Sequence, residues 1–207
     1  MTEIEKHQKT KSRKNWVFEG PPGVGKTSMA YAVAAKLDQP LFSFPIMNSQ
    51  MDDSVFKFWL EQIPANAIVF MDDVQYPFPV KLSIASVLDF LDGTMAALHP
   101  GRLLIVNTNS QGYVKNVPAP LQRAGRLRET FHFSLATPSD AEAIFRQEYQ
   151  GSLLDEQKLQ ELAHSFVAHY EGKQISHAAI ESFLRNFTPH EAVKNVGSMT
   201  ANGSLQR

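Results

Sequence analysis

The octapeptide Gly20-Pro21-Pro22-Gly23-Val24-Gly25-Lys26-Thr27 decides how this chain folds. Glycine, four residues, glycine, lysine and a hydroxyl residue, in that spacing, form a phosphate-gripping loop between a strand and a helix. The glycines let successive N–H groups turn into one concavity, and a helix starting at Lys26 adds the positive end of its dipole. Such a bend suits an anion. Upstream, Asn15 to Glu19 reads as a strand; downstream, Met29, Val33 and Leu37 recur every four residues, the stripe of a helix packed on a sheet. The candidate nucleotide-binding residues are therefore Gly20, Pro21, Pro22, Gly23, Val24, Gly25, Lys26, Thr27 and Ser28. Lys26 is expected to bridge the β- and γ-phosphates of a nucleotide, and Thr27 to offer its hydroxyl to magnesium.

Beyond the loop, strand-like and helical patterns alternate. Leu41 to Ile46 reads as a strand after Pro40, and Asp52-Asp53-Ser54 supplies caps for a helix whose buried face is Val55, Phe56, Trp59, Leu60 and Ile63. Ala67 to Met71 is continuously apolar, as expected of a central parallel strand covered on both faces. A Pro-containing loop, Tyr76 to Val80, leads to a helix through Ile84, Val87, Leu88 and Leu91; Leu103 to Val106 and Phe131 to Leu135 read as further strands. The alternation predicts an α/β fold with a parallel, doubly wound sheet. After Thr137 three helical stretches follow: one capped by Ser139, one over Leu154 to Tyr170 and one opened by Ser176, together a small C-terminal helical lid. The expected division is a basic flexible lead-in over 1–14, a nucleotide-binding part over 15–137, the lid over 138–199 and a disordered tail over 200–207, with small polar residues from Gly197 onward.

The whole is 207 residues, enough for one large domain or a medium one with an appendage. Hydrophobic residues make up 43% and charged residues 20%, which excludes a wholly disordered or fibrous chain. Net charge is −1, so no global field recruits nucleic acid or anionic lipid, and any such contact must be local, as at Lys6, Lys9, Lys11, Arg13 and Lys14. There is no cysteine, which removes disulfides and thiol chemistry and suits a reducing intracellular compartment. The longest apolar run, Met29 to Ala35, falls short of the roughly 18 residues of a membrane-spanning helix. The expectation is a soluble chain with no membrane segment.

Asp72-Asp73 ends the apolar strand. Asp72 at the strand tip is expected to hold magnesium, and Asp73 to polarise the attacking water and take its proton. Two carboxylates so close make more sense with a divalent ion to compensate them. Asn109, after the strand from Leu103, is expected to hydrogen-bond the water and a γ-phosphate oxygen.

These motifs, with the segment PAPLQRAGR from Pro118 to Arg126, resemble the AAA ATPases, members of the P-loop NTPases. Within that superfamily the chain is most similar to the family of mitochondrial chaperones that insert the Rieske iron–sulfur protein into respiratory complex III. The stretches that carry this likeness are DDSVFKFWLEQIPANAIVFMDDV from Asp52, VLDFLDGT from Val87, LLIVNTN from Leu103, GRLRETFHFSLATPSDAEAIF from Gly125 and EAVKNV from Glu191, which resembles that family's final helix. The resemblance implies an ATP hydrolase that remodels or translocates a protein partner, and a homo-oligomeric ring. In it Arg123 and Arg126 reach as arginine fingers to the γ-phosphate bound by the next subunit. It also implies that hydrolysis lets the helical lid rotate, and a mitochondrial location where the likeness extends that far.

Departures from the family pattern are as plain. The family usually shows Glu-Asp where this chain has Asp72-Asp73, and Gln75 stands where a further acid is common. Most AAA enzymes carry glutamate at the Asp73 position, which implies slow turnover here, and Ala124 replaces the customary proline between the arginines. Two other readings stay open: a nucleic-acid helicase or loader of the superfamily-three type, which shares the loop, the acids and the asparagine, and a nucleotide-sensing scaffold that holds ATP without turning it over.

Overall fold

Among the described residues five strands alternate with helices as far as Phe133, and helices alone follow. The computed structural model describes residues 4, 7, 13–97, 101–127, 129–170 and 173–200. They fall into two units, one of residues 1–20 and 26–133, the other of residues 21–25 and 134–207. The chain thus enters the second unit at Ser134, earlier than the expected boundary, and the loop 21–25 groups with the helices. The expected tail over 200–207 lies outside the described residues except for Thr200.

The first unit runs β1 (Lys14–Glu19), α1 (Lys26–Leu37), β2 (Leu41–Ser43), α2 (Asp53–Glu61), β3 (Ile68–Met71), α3 (Ile84–Asp92), α4 (Thr94–Ala97), β4 (Leu103–Thr108), α5 (Tyr113–Asn116), a 3-10 turn (Ala119–Gln122) and β5 (Glu129–His132). Strand order is β2-β3-β4-β1-β5, every pair parallel, as the alternation predicts. Strand side chains alternate between two cores. Val17, Val69, Met71, Leu104 and Val106 pack with Phe56 and Leu60 of α2 and Val87, Phe90 and Leu91 of α3. On the opposite face Trp16, Phe18, Ile68, Phe70, Leu103 and Ile105 pack with Ala30, Val33 and Ala34 of α1. Burial on both faces is why β3 and β4 read as unbroken apolar runs.

Several local expectations shift. The face of α1 against the sheet is Ala30, Val33 and Ala34, while Met29 is 43% exposed; small residues let the helix lie close to the strands. In α2 the buried stripe is Phe56, Leu60 and then Ile63, whereas Val55 and Trp59 face solvent with Phe58. Spacing by three and four residues admits two adjacent stripes, and a nine-residue helix buries only one of them. Asp52 caps α2 as expected, accepting from the Val55 amide at 2.8 Å. β2 stops at Ser43 because Pro45 has no N–H to continue the ladder, although Phe44 and Ile46 stay buried. β5 is Glu129–His132, two residues earlier than the apolar letters suggest, and Phe133 adds one more bond to the Glu19 carbonyl at 2.7 Å. In the lead-in, Ile4 packs on the cluster around Trp16, and His7 is buried with its ring edge toward Trp16, so these two residues are not solvated.

The second unit has α6 (Pro138–Glu148), α7 (Glu156–Tyr170), α8 (His177–Leu184), α9 (Pro189–Asn195) and a 3-10 turn (Val196–Ser198). Phe145, Phe166, Ile180, Phe183 and Leu184 form its core. Met199, just after that 3-10 turn, is 4% exposed. Ser176 caps α8 as read, but Thr137 rather than Ser139 caps α6. Pro138 takes the first helical position, where a missing N–H costs nothing, which leaves Ser139 inside the helix. The Thr137 hydroxyl accepts from the Asp140 amide at 3.2 Å and donates to the Asp140 carboxylate at 2.7 Å, and that carboxylate also accepts from the Thr137 amide at 2.8 Å. Thr137→Ala should cost about 1 kcal/mol, read as a lower urea midpoint. The hydrogen bonds from Thr137 hold the Asp140 carboxyl below its ordinary 3.8. What the box contributes is thus present above that value and lost as pH falls through the lowered one, so the gap between wild type and Thr137→Ala should narrow in acid. A gap that persists unchanged there contradicts the assignment.

Candidate nucleotide-phosphate site

Because β3, β4 and β1 are neighbours running the same way, their carboxyl ends lie side by side. This brings together residues far apart in sequence: Gly20 and Lys26 after β1, Asp72 and Asp73 after β3, and Asn107 and Asn109 at the end of β4. Crevices at strand carboxyl ends are where open α/β sheets bind ligands.

The Lys26 ammonium, 5% exposed, donates to the Gly20 carbonyl and to Asn109 Oδ1, each at 2.8 Å. Burial lowers its pKa, while the Asp72 and Asp73 carboxylates push it back up. Asn109 Nδ2 in turn donates to Asp73 Oδ1 at 2.9 Å, so one amide links the cation to the second acid. The Thr27 hydroxyl lies 3.4 Å from Asp72 Oδ2. Asp73 has φ of 49°, left-handed for a residue with a side chain. That turn breaks strand alternation and puts both carboxylates into the same hydrogen-bonded set, and the Asp73 amide donates back to Asp72 Oδ1 at 2.9 Å. Gly20 sits where a Cβ would meet the Phe133 carbonyl oxygen at 2.2 Å, so no larger residue fits at the end of β1.

One member was not foreseen. Asn107 in β4, 4% exposed, donates to Thr27 Oγ1 at 3.1 Å and to Asp72 Oδ1, and so fixes the hydroxyl against the carboxylate. Its signal was available: an amide inside the buried run LLIVNT must find partners. The Asn107 Oδ1 atom is buried without a partner.

Thr27 and Asp72 offer hard oxygen donors, the kind that binds magnesium through one carboxylate, a hydroxyl, water and substrate phosphate rather than an all-protein cage. Among the described residues no group of three or more His, Cys, Asp or Glu could hold an ion unaided. Ser28, in the first turn of α1, is exposed and makes none of these hydrogen bonds.

In the second unit the loop residues Pro21 to Gly25 pack on the start of α8. Gly23 has φ of 75°, its carbonyl accepts from the Ala178 amide at 3.0 Å, and a Cβ there would meet Ser176 Oγ at 2.8 Å. Beside it lies a cavity of about 490 Å³ lined by Pro21, Pro22, Gly23, Gln174, Ser176 and Ala178.

Arg123 and Arg126 are placed apart from the Lys26 set. Arg123 is exposed after the 3-10 turn. Arg126 is paired with Asp92 of α3 at 2.6 Å and donates through Nη1 to the Pro120 carbonyl.

No helix among the described residues is long and apolar enough to cross a membrane. The chain is 26% identical to the probable mitochondrial chaperone BCS1-A of Dictyostelium discoideum over 91% of its own length and 47% of that protein's. It is 26% identical to the probable mitochondrial chaperone bcs1 of Schizosaccharomyces pombe over 66% of its length and 32% of that protein's. It is 24% identical to the human mitochondrial chaperone BCS1 over 90% of its length and 46% of that protein's. The chain thus spans less than half the length of these relatives. The profile of the ATPase family associated with various cellular activities matches residues 16–135, the stretch that carries the sheet and every residue of the Lys26 set, and the chain belongs to that family, the AAA ATPases.

Proposed function

We propose that this chain is the motor part of a magnesium-dependent ATP hydrolase that works as a ring and couples hydrolysis to remodelling a protein partner. The observation that carries the reading is the continuous hydrogen-bonded set of Lys26, Asn109 and Asp73 beside Thr27, Asn107 and Asp72. Thr27 and Asp72 would hold magnesium, which when bound offsets the charge of the β- and γ-phosphates. Lys26 supplies the second positive charge at that place. Asp73 accepts the proton of a water as its oxygen attacks the γ-phosphorus, and the bond to the bridging β–γ oxygen breaks to leave ADP and phosphate. Asn109 orients that water. A γ-phosphate arriving at Lys26 competes with Asn109 Oδ1 for the ammonium, so the asparagine registers its presence. Asp73 and Ser28 leave the metal to Thr27 and Asp72.

The Asp73 carboxylate stands one methylene short of a glutamate, which supports slow turnover. Relatives named as chaperones favour a protein partner over a nucleic-acid motor, and their mitochondrial names support that location. Arg123 and Arg126 would serve the γ-phosphate of the neighbouring subunit; for Arg126 this requires release of Asp92 or a supporting role behind Arg123. A chain with Arg123→Ala and a chain with Lys26→Ala should each be inactive, yet recover measurable phosphate release when mixed, because one keeps a site and the other a finger. No recovery at any mixing ratio would mean that each subunit acts alone.

A further inference from the structure

Arg102, immediately before β4, is 1% exposed and lies at the opposite end of the strand that delivers Asn107 and Asn109. Among the described residues no carboxylate pairs with it. Its guanidinium carbon lies 3.7 Å from the centre of the Phe90 ring, Nη1 donates to the Phe90 carbonyl at 3.0 Å, and Nε has no partner. Burial, with a smaller contribution from Arg13, pushes its pKa down to about 9, so it is charged at neutral pH and uncompensated. For stability alone, an apolar side chain of the same volume serves as well or better.

The remaining bond of Arg102 leads elsewhere. Nη2 donates to Asn15 Oδ1 at 3.4 Å, and Asn15 Nδ2 donates to the Gly125 carbonyl at 2.8 Å. Chemistry fixes the amide's orientation: a guanidinium only donates and a carbonyl only accepts, so the oxygen must face Arg102 and the nitrogen Gly125. Asn15 is itself 4% exposed. Gly125 lies between Arg123 and Arg126 and has φ of 82°. The same turn is closed by Arg126 N to the Arg123 carbonyl and Leu127 N to the Leu121 carbonyl, both at 3.1 Å. Arg126 completes the circuit, because Asp92, which it grips, is two residues beyond Phe90 on α3. The arginine-bearing turn is therefore held to β1 and α3 by two polar ties, one of which runs through Arg102.

We propose that Arg102 and Asn15 are positioning residues that set the arginine-bearing turn at the register from which it serves the neighbouring subunit. This rests on the reading above that Arg123 acts in trans. Arg102 touches no substrate; it acts through Asn15 on Gly125 and so on the direction in which Arg123 leaves the surface.

Asn15→Asp separates this role from folding. A carboxylate keeps the shape, accepts from Arg102 and gives the buried cation a counter-ion, but it has no N–H for Gly125 and repels its carbonyl. The expected result is a melting temperature at or above wild type and unchanged ATP affinity, with hydrolysis about 10- to 100-fold slower. Loss should be directional. Mixed with the Lys26→Ala chain, which keeps a sound finger, Asn15→Asp should recover as Arg123→Ala does; mixed with Arg123→Ala it should not recover. Arg102→Met, which keeps an unbranched stem against Phe90 and cuts the tie at its other end, should repeat the pattern and decides the matter if Asn15→Asp does not fold. Wild-type hydrolysis in the variants, or recovery on mixing with Arg123→Ala, overturns the positioning role alone. Failure of the pair Arg123→Ala with Lys26→Ala overturns the shared site, and the positioning role with it.

Discussion

Asp73→Asn should bind ATP as tightly as the wild type and hydrolyse it about 100- to 10,000-fold more slowly, the range lost when a positioned general base is removed. The substitution is close to isosteric and the local structure favours it. Asn109 Nδ2 donates to Asp73 Oδ1, and an asparagine oxygen accepts that bond equally well. The left-handed backbone at Asp73 is one that asparagine tolerates better than most residues. Neither the Asp72 pairing with Thr27 and Asn107 nor the Lys26 bonds to the Gly20 carbonyl and Asn109 Oδ1 use the Asp73 side chain. What disappears, on the proposed mechanism, is the basic oxygen that would take the water's proton. Nucleotide affinity by titration, beside phosphate release under excess ATP, measures both halves. Hydrolysis within a few-fold of wild type would remove Asp73 from the reaction.

Lys26→Ala has the opposite signature, because it removes binding itself. A charge-assisted hydrogen bond contributes about 1.5–3 kcal/mol, and an ammonium bridging two phosphates makes two of them, so affinity should fall by about 100-fold or more. The loss also reaches inside the chain. Without the ammonium, Asn109 Oδ1 and the Gly20 carbonyl lose a donor, and the two carboxylates lose their nearby cation. Fluorescent-nucleotide titration checks it, and circular dichroism confirms that helix content is retained. Affinity within about threefold of wild type would leave the loop a mere strand-to-helix connection.

Much of this fold was legible because parallel strands covered on both faces must be apolar throughout. Ala67 to Met71 and Leu103 to Val106 could hardly be anything else, and the loop before Lys26 fixed what lay between strand and helix. Lys26, Thr27, Asp72, Asp73 and Asn109 could be named from spacing, and the structure brings them into one hydrogen-bonded set. Less was legible where helical periodicity is ambiguous. Val55 and Trp59 repeat as regularly as Phe56 and Leu60, and only the side facing the sheet tells them apart. Cap placement at Thr137 turned on Pro138, a stronger local constraint than the hydroxyl of Ser139. Asn107, Asn15 and Arg102 escaped because their partners lie 12 to 110 residues away, and single-sequence patterns carry little information at that range.

In the proposed mechanism Lys26 would hold the nucleotide's phosphates, and Thr27 and Asp72 its magnesium. Calorimetric titration of a non-hydrolysable ATP analogue into the chain, with magnesium and then with a chelator, tests it most directly. One site per chain is expected, with an affinity that drops when magnesium is withdrawn and drops likewise, with magnesium present, in Asp72→Asn. Equal heats in all three titrations, or no heat in any, would contradict it.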